Sequence, residues 1–276
     1  MIQIRPLRPQ STEMFTNLQR ILPKHLLSRL IGTLAKSKNT AIKTIFINIF
    51  CWLYNIDLAE AERSHKKSYE SFNDFFTRSL RAGARPMRGQ LCSPADGTVA
   101  ALGTINNNTL IQSKLHHYSV QELLAEETQE FKNGSFLTIY LAPHNYHRVH
   151  VPCRAKLQAT SYVPGELFSV NQTTAEQLPN LFTRNERLIC KFSTEYGAMI
   201  QVLVGAMLVA GIKPAWSDTI CEPRLALRTV MQQHYQQGEE IAQFQMGSTV
   251  ILLFDEPKPF VFEQGDTIKV GDALTR

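Results

Sequence analysis

The sequence of 276 residues predicts an α+β protein, with a helical N-terminal region over residues 1–85 on a β-rich core over residues 86–276. Three observations lead there. Apolar residues recur at every fourth position from Met14 to Leu34; after Pro86 the texture changes to turn dipeptides separating short apolar runs; and Gly247-Ser248 leads into the run Val250, Ile251, Leu252, Leu253, Phe254. A period near 3.6 puts side chains on one helical stripe, whereas short apolar runs bounded by turn residues mark strands. A hydrophobic content of 43% over this length is ample for a packed core.

In the N-terminal region Met14, Leu18, Leu22, Leu26, Leu30 and Leu34 share one broad stripe with Phe15, Leu27 and Ile31 beside it. Pro23 interrupts that stripe and fits the first turn of a second helix, where its missing N–H is not needed. A further apolar block, Ile42 to Ile56, is broken by Lys43, Asn48 and Asn55. It holds no run of about eighteen apolar residues, so it is expected to lie on a membrane rather than span one.

From Met14 to Ile56 there is no Asp or Glu, while Arg20, Lys24, Arg29, Lys36, Lys38 and Lys43 supply six positive charges against a net +5 for the chain. The ordinary explanation is helices that cover a core and turn lysines to solvent. The missing acidic residues favour an anionic membrane surface instead. Nucleic acid is not the expected partner, because the basic residues sit among leucines and isoleucines without interleaved stacking aromatics. A secretory signal is disfavoured: the apolar residues are periodic, and no small-residue cleavage site follows.

Ser71-Phe72-Asn73-Asp74-Phe75-Phe76 reads as a helix start, and Arg78, Arg81 and Arg85 lead to Pro86. Beyond it, Asp96-Gly97, Asn133-Gly134, Gly265-Asp266 and Gly271-Asp272 are turn signals. They bound or separate strand candidates at Thr98 to Leu102, Phe136 to Leu141, Ile200 to Leu208 and Thr267 to Val270. Glu122, Glu126, Glu127 and Glu130 suggest a short exposed helix between Gln121 and Phe131. The five cysteines are odd in number, widely spaced and without a CxxC pair, which suggests buried thiols in a reducing compartment.

Three features of the core carry candidate chemistry. Asp96 stands in a turn that leads into a strand, His144, His147 and His150 are spaced by three, and Ser248 stands at the mouth of a buried strand. Each has a plain structural explanation when taken alone. Asp-Gly and Gly-Ser pairs are common turns, and a histidine is more often a core or surface residue than a ligand. No metal site is expected, since zinc sites usually space helical histidines by four and add a cysteine or carboxylate. Together, an Asp, a His and a Ser allow a carboxylate to orient an imidazole that takes the hydroxyl proton. Types alone do not establish proximity.

The motifs in order are more specific. SPADGTV around Asp96, YHRVHVP from Tyr146 to Pro152, YVPGELFSVN from Tyr162 to Asn171, FTRNER from Phe182 to Arg187, and MGSTV around Ser248 resemble the phosphatidylserine decarboxylase family of bacterial type. The resemblance runs over nearly the whole chain, including Leu22-Pro23-Lys24. Met246 stands where the family usually has Leu, and Asn145 where relatives often place Asp before Tyr-His-Arg. The second departure removes a charge beside the histidines and should lower a histidine pKa that it supported.

The resemblance implies a core built of barrel-like half-domains and a bond that the chain cuts itself. Ser248 would attack the Gly247 carbonyl, and elimination across Ser248 would yield chains 1–247 and 248–276, held together as a heterodimer. Association of such heterodimers is left open. Hydrolysis of the resulting dehydroalanine would leave a covalent pyruvoyl group, derived from Ser248, as the cofactor. Its carbonyl would form a Schiff base with the amine of phosphatidylserine and accept electrons as CO2 leaves, giving phosphatidylethanolamine.

By motif position the resemblance assigns His150 as base of the self-cleavage with Asp96 orienting it, and His147 to the decarboxylation. The membrane partner is then phosphatidylserine in an anionic bilayer, with peripheral binding at the cytoplasmic face of the inner membrane. Phe168, Leu181 and Phe182 are candidates to line the lipid approach, with core packing the plainer role for each. Two alternatives remain: a serine hydrolase that uses Ser248 without cutting the chain, and a non-catalytic phospholipid-binding relative.

Overall fold

A computed structural model of the chain describes residues 24–206, 211–219, 221, 227–245 and 248–276. The stretch from Met14 to Leu22, Pro23, and Met246-Gly247 of the expected cleavage site lie outside these residues.

Three helices open the described chain: α1 (Lys24–Ala35), α2 (Thr40–Tyr54) and α3 (Phe72–Phe76). Asn39 starts α2 by accepting the Ala41 and Ile42 N–H groups, and Asn55 ends it in the left-handed region that a helix stop requires. The helix start expected at Ser71 is present, its hydroxyl accepting from the Asp74 N–H. Ile47, Phe50 and Cys51 turn inward from α2 against Tyr69, Phe72, Phe75 and Phe76. Phe50 meets Phe72 edge to face at 5.2 Å.

A second apolar stripe on α2 faces outward: Ile45, Ile49 and Leu53 are exposed, and Trp52 is 81% exposed. Spacings of three and four put these residues on one side of the helix. Leu30 and Leu34 of α1 are exposed as well. Among the described residues no helix is long and apolar enough to cross a membrane.

The core begins with β1 (Gly97–Thr104), β2 (Thr109–Ile111), β3 (His117–Ser119), α4 (Val120–Leu124), β4 (Ser135–Leu141), β5 (Arg148–His150) and β6 (Ala155–Val163). It continues with α5 (Gln172–Gln177), α6 (Leu181–Arg184), β7 (Arg187–Thr194), β8 (Gly197–Gly205), β9 (Ile212–Pro214), β10 (Leu227–Tyr235), β11 (Glu240–Phe244), β12 (Ser248–Phe254) and β13 (Thr267–Ile268). The α+β class is the one the sequence predicts. Its strands form open sheets: eight in the order β10-β6-β7-β8-β12-β4-β1-β13, three in the order β5-β11-β9, and the pair β2-β3.

Strand β12 lies inside the large sheet, antiparallel to both β4 and β8. Val250, Leu252 and Phe254 pack on one face with Val149, Ile212 and Phe244 of the three-stranded sheet. Ile251 and Leu253 pack on the other with Leu110, Leu123 and Leu181 of the β2-β3 pair, α4 and α6. Both faces of β12 are thus covered, which is why its sequence is a continuous apolar run rather than an alternation. By the same two-residue period, Ser248 points to the face of the three-stranded sheet and Thr249 to the helical face.

The strand expectations at Thr98–Leu102 and Phe136–Leu141 correspond to β1 and β4, while β8 covers 200–205 of the third. The short helix is placed earlier than expected: Ser119 and Glu122 form a capping box, and Ala125 ends α4 in the left-handed region before Glu126. Edge strand β10 carries Arg228, Gln232, Gln233 and His234 exposed, so its sequence lacks the apolar signal of a strand.

Candidate active site

Ser248 opens β12, paired across to Leu141 on one side and Gly205 on the other. Its side chain is fully buried, and its hydroxyl has no hydrogen-bond partner among the described residues. Such an orphan is uncommon in a folded interior and asks for a reason. Thr249 Oγ1 and Gln245 Nε2, close to Ser248 along the chain, are also buried without partners among the described residues, as is Gln201 Oε1 farther along, opposite Leu252.

Asp96 immediately precedes β1, at a turn held tight by Gly97: a β-carbon there would lie 2.3 Å from the Tyr140 carbonyl oxygen. Its carboxylate accepts from Arg85 Nη2 at 2.6 Å and Nε at 3.0 Å, and from the Val270 N–H at 2.8 Å. Against the desolvation of its site, the hydrogen bonds to Asp96 and Glu60 hold the Arg85 guanidinium above its usual pKa. The last residue of the helical region is thereby clamped to the first candidate of the core. Motif reasoning did not single out Arg85, since eleven residues separate the partners.

His150 ends β5, and its N–H donates to the Pro94 carbonyl, which ties the histidine strand to the Asp96 loop. Its Nδ1 lies 2.8 Å from the Gly238 carbonyl and its Nε2 3.0 Å from the Tyr146 hydroxyl. A carbonyl only accepts, so Nδ1 carries the proton and Nε2 accepts from the tyrosine. Burial pushes this imidazole below its usual value, partly offset by the Gly238 carbonyl and the charges of Glu240 and Asp96. The group that orients the ring by hydrogen bond is the Gly238 carbonyl. Asp96 acts on it through space, both carboxylate oxygens being engaged elsewhere.

His147 is fully buried, 4.1 Å between ring centroids from Phe76 of α3. Nδ1 donates to the Asn145 carbonyl, and Nε2 has no partner among the described residues. Burial pushes the ring down to about 3, so it is neutral with a free lone pair. Asn145, where a carboxylate was noted as missing, caps its own loop by accepting the Ala142 N–H. The Phe244 N–H donates to the His147 carbonyl, which brings this loop to the end of β11, four residues before Ser248.

The sequence candidates are therefore linked in two pairs: Asp96 with His150 through Pro94, and His147 with the approach to Ser248 through Phe244. Among the described residues no hydrogen bond joins Ser248 to Asp96, His147 or His150. On the helical face, a cavity of ≈ 390 Å³ is lined by Thr249, Tyr140, Lys114, Gln112, Thr98 and Phe182. Leu181 and Phe168 are packed in the core beside it. No group of three or more His, Cys, Asp or Glu that could hold a metal ion occurs among the described residues.

A family model described as phosphatidylserine decarboxylase matches residues 72–276, and a second, described as PSD, matches residues 14–55. A relative from Alcanivorax borkumensis is 46% identical over 258 residues, 89% of each chain. One from Pseudomonas fluorescens is 46% identical over 273 residues, 93% of this chain and 94% of its own. A third from Vibrio vulnificus is 47% identical over 253 residues, 86% and 88% of the two chains. Each is named a phosphatidylserine decarboxylase proenzyme. With a family match over most of its length and relatives of this identity, the chain belongs to the phosphatidylserine decarboxylase family and is an enzyme of that class.

Proposed function

We propose that the chain decarboxylates phosphatidylserine to phosphatidylethanolamine with a pyruvoyl group that it makes from Ser248, after cutting its own Gly247-Ser248 bond. The observation that carries this reading is the Ser248 hydroxyl, buried and without a partner among the described residues, at the start of an inner strand. A structural serine at such a place would be hydrogen-bonded. The relatives' name, proenzyme, agrees with a chain that must be processed.

In the self-cleavage Ser248 Oγ bonds to the Gly247 carbonyl carbon, the amide C–N bond breaks, and the nitrogen takes the hydroxyl proton. Loss of the Ser248 α-proton then expels Gly247 as a carboxylate, and water displaces ammonia from the resulting dehydroalanine. The neutral state of His150 suits it to take the first proton at Nε2, once that atom exchanges the Tyr146 hydroxyl for the serine. Asp96 stabilises the imidazolium that forms, by charge. The position of Ser248 fits the product group, being buried, with a hydroxyl that has no partner among the described residues.

When formed, the group supplies an electron sink for the pair left behind by CO2. His147 offers a lone pair at Nε2 in a dry site, so any proton it delivers to the product carbon must first arrive there. Chains 1–247 and 248–276 stay together because β12 is hydrogen-bonded on both sides within the large sheet.

Residues 1–85 form the membrane-docking region of this reading, and residues 86–276 the catalytic core. The outward stripe of Ile45, Ile49, Trp52 and Leu53 supports it, since an exposed apolar face of this size beside lysines suits an interfacial helix. Lys36 is exposed nearby, whereas Lys38 pairs with Glu70 and Lys43 donates to the Tyr69 carbonyl. Binding would be peripheral, at the cytoplasmic face of the inner membrane.

Denaturing mass spectrometry tests the central claim. Two fragments split at 247/248 are expected, the smaller blocked at its N-terminus, with a Ser248→Ala variant that stays whole and inactive. Active protein of undivided mass would overturn the mechanism and favour a hydrolase.

A further inference from the structure

Glu186 is a buried carboxyl with no cationic partner among the described residues. It is 1% exposed; Oε2 accepts from the Tyr162 hydroxyl at 2.9 Å, and Oε1 has no partner among the described residues. The titratable groups that bear on it are Tyr162 from β6 and Cys221. The adjacent Arg187 gives no help, because its guanidinium donates to the carbonyls of Glu122, Leu123, Thr183 and Asn185 instead. Burial pushes the Glu186 carboxyl up to about 7.

Its position gives the open oxygen a use. A β-carbon built on Gly205 would lie 2.8 Å from Glu186 Oε1, so the carboxyl fills the space that a side chain at 205 would take. Gly205 is the direct partner of Ser248 across β8 and β12. Directly paired residues project side chains to the same face, with β-carbons about 4.5–5.5 Å apart. The unpartnered oxygen therefore lies on the face of the Ser248 side chain, at the neighbouring strand position.

We propose that Glu186 receives the ammonium group of the phospholipid headgroup next to Ser248 and accepts one of its protons, with Tyr162 holding the carboxyl in place. This rests on the reading of Ser248 as the reacting position. The headgroup of phosphatidylserine carries one ammonium, one carboxylate and one phosphodiester, and only the first is complementary to an open carboxylate oxygen. Proton transfer breaks an N–H bond and forms an O–H bond on Oε1. A charged pair thus becomes a neutral acid and a free amine, which is the nucleophile that the reaction needs. The site favours that neutral state because both groups are out of water.

The test uses processed protein whose N-terminal ketone has been reduced with borohydride, so that ligands bind without reacting. Its equilibrium binding of glycerophosphoserine and of glycerophosphoglycerol, which lacks the amine, is compared. Wild type should prefer the amine ligand by about tenfold or more, Glu186→Gln should bind both alike, and Tyr162→Phe, which frees the carboxyl, should show a smaller preference than wild type. In wild type the preference should weaken as pH falls below about 7, with no such change for the amine-free ligand. That arm decides the matter if the variant yields no folded protein.

A preference retained in Glu186→Gln, or absent from wild type, overturns the proposal. So does a folded Glu186→Gln chain that no longer cleaves itself, which would place the carboxyl in maturation. Wild type that does not cleave at all refutes the reading of Ser248 instead, by its undivided mass.

Discussion

Replacing Glu186 with glutamine should change how stability depends on pH, by an amount that follows from its burial. The carboxyl is pushed from 4.5 to about 7 by desolvation, only partly offset by the Tyr162 hydrogen bond. Between these values the folded chain keeps a proton that the unfolded chain has released. Stability from this group is therefore fully present below pH 4.5 and lost as pH rises through about 7. At roughly 1.4 kcal/mol per unit, the change is on the order of 3 kcal/mol across the window. Glutamine keeps the shape and cannot ionise. Urea unfolding from about pH 4 to about pH 8, in a Ser248→Ala background that keeps the chain whole, should show the glutamine variant gaining on its parent as pH rises. Parallel profiles for the two proteins would refute the reasoning and mean that the carboxyl has a counter-ion or water.

Arg85→Ala should cost about 3–5 kcal/mol in urea unfolding, because it leaves Asp96, 5% exposed, with the Val270 N–H as its remaining donor. Gly205→Ala should cost about 1–3 kcal/mol, since its β-carbon meets Glu186 Cγ and Oε1 at 2.8 Å; the cost should shrink in a Glu186→Ala background. Replacing Ile49 and Trp52 together by serine should leave the thermal midpoint in place, both being exposed, and weaken sedimentation with anionic vesicles. Unchanged vesicle binding would return α2 to an ordinary surface role. His147, pushed down to about 3, should show no titration by NMR from about pH 5 to about pH 8.

The apolar run after Ser248 was legible as a buried strand because both faces of β12 are covered, so every side chain had to be apolar. Asp96 and the histidines were legible through their motifs, and the caps of α2 and α3 through Asn39 and Ser71. The edge strand β10 was not, since Arg228, Gln232, Gln233 and His234 are exposed and leave no apolar run. Nor was the hydrogen bond that orients His150, because its acceptor is a backbone carbonyl at Gly238, 88 residues away.

Glu186 shows the limit most sharply. In the sequence it stands between Asn185 and Arg187, and a carboxylate next to a guanidinium reads as a surface ion pair. Strand geometry sends neighbours to opposite faces, so Arg187 reaches the carbonyls around α4 while Glu186 turns towards Gly205, without a counter-ion among the described residues. By itself the sequence determined the α+β class, the buried strand behind Ser248 and the family, all of which rest on local periodicity and contiguous motifs. The tertiary structure decided which charges are compensated: Asp96 by Arg85, Glu186 by none among the described residues. Compensation depends on distance through a dry interior, where a missing partner costs far more than in water, and order along the chain does not encode that distance.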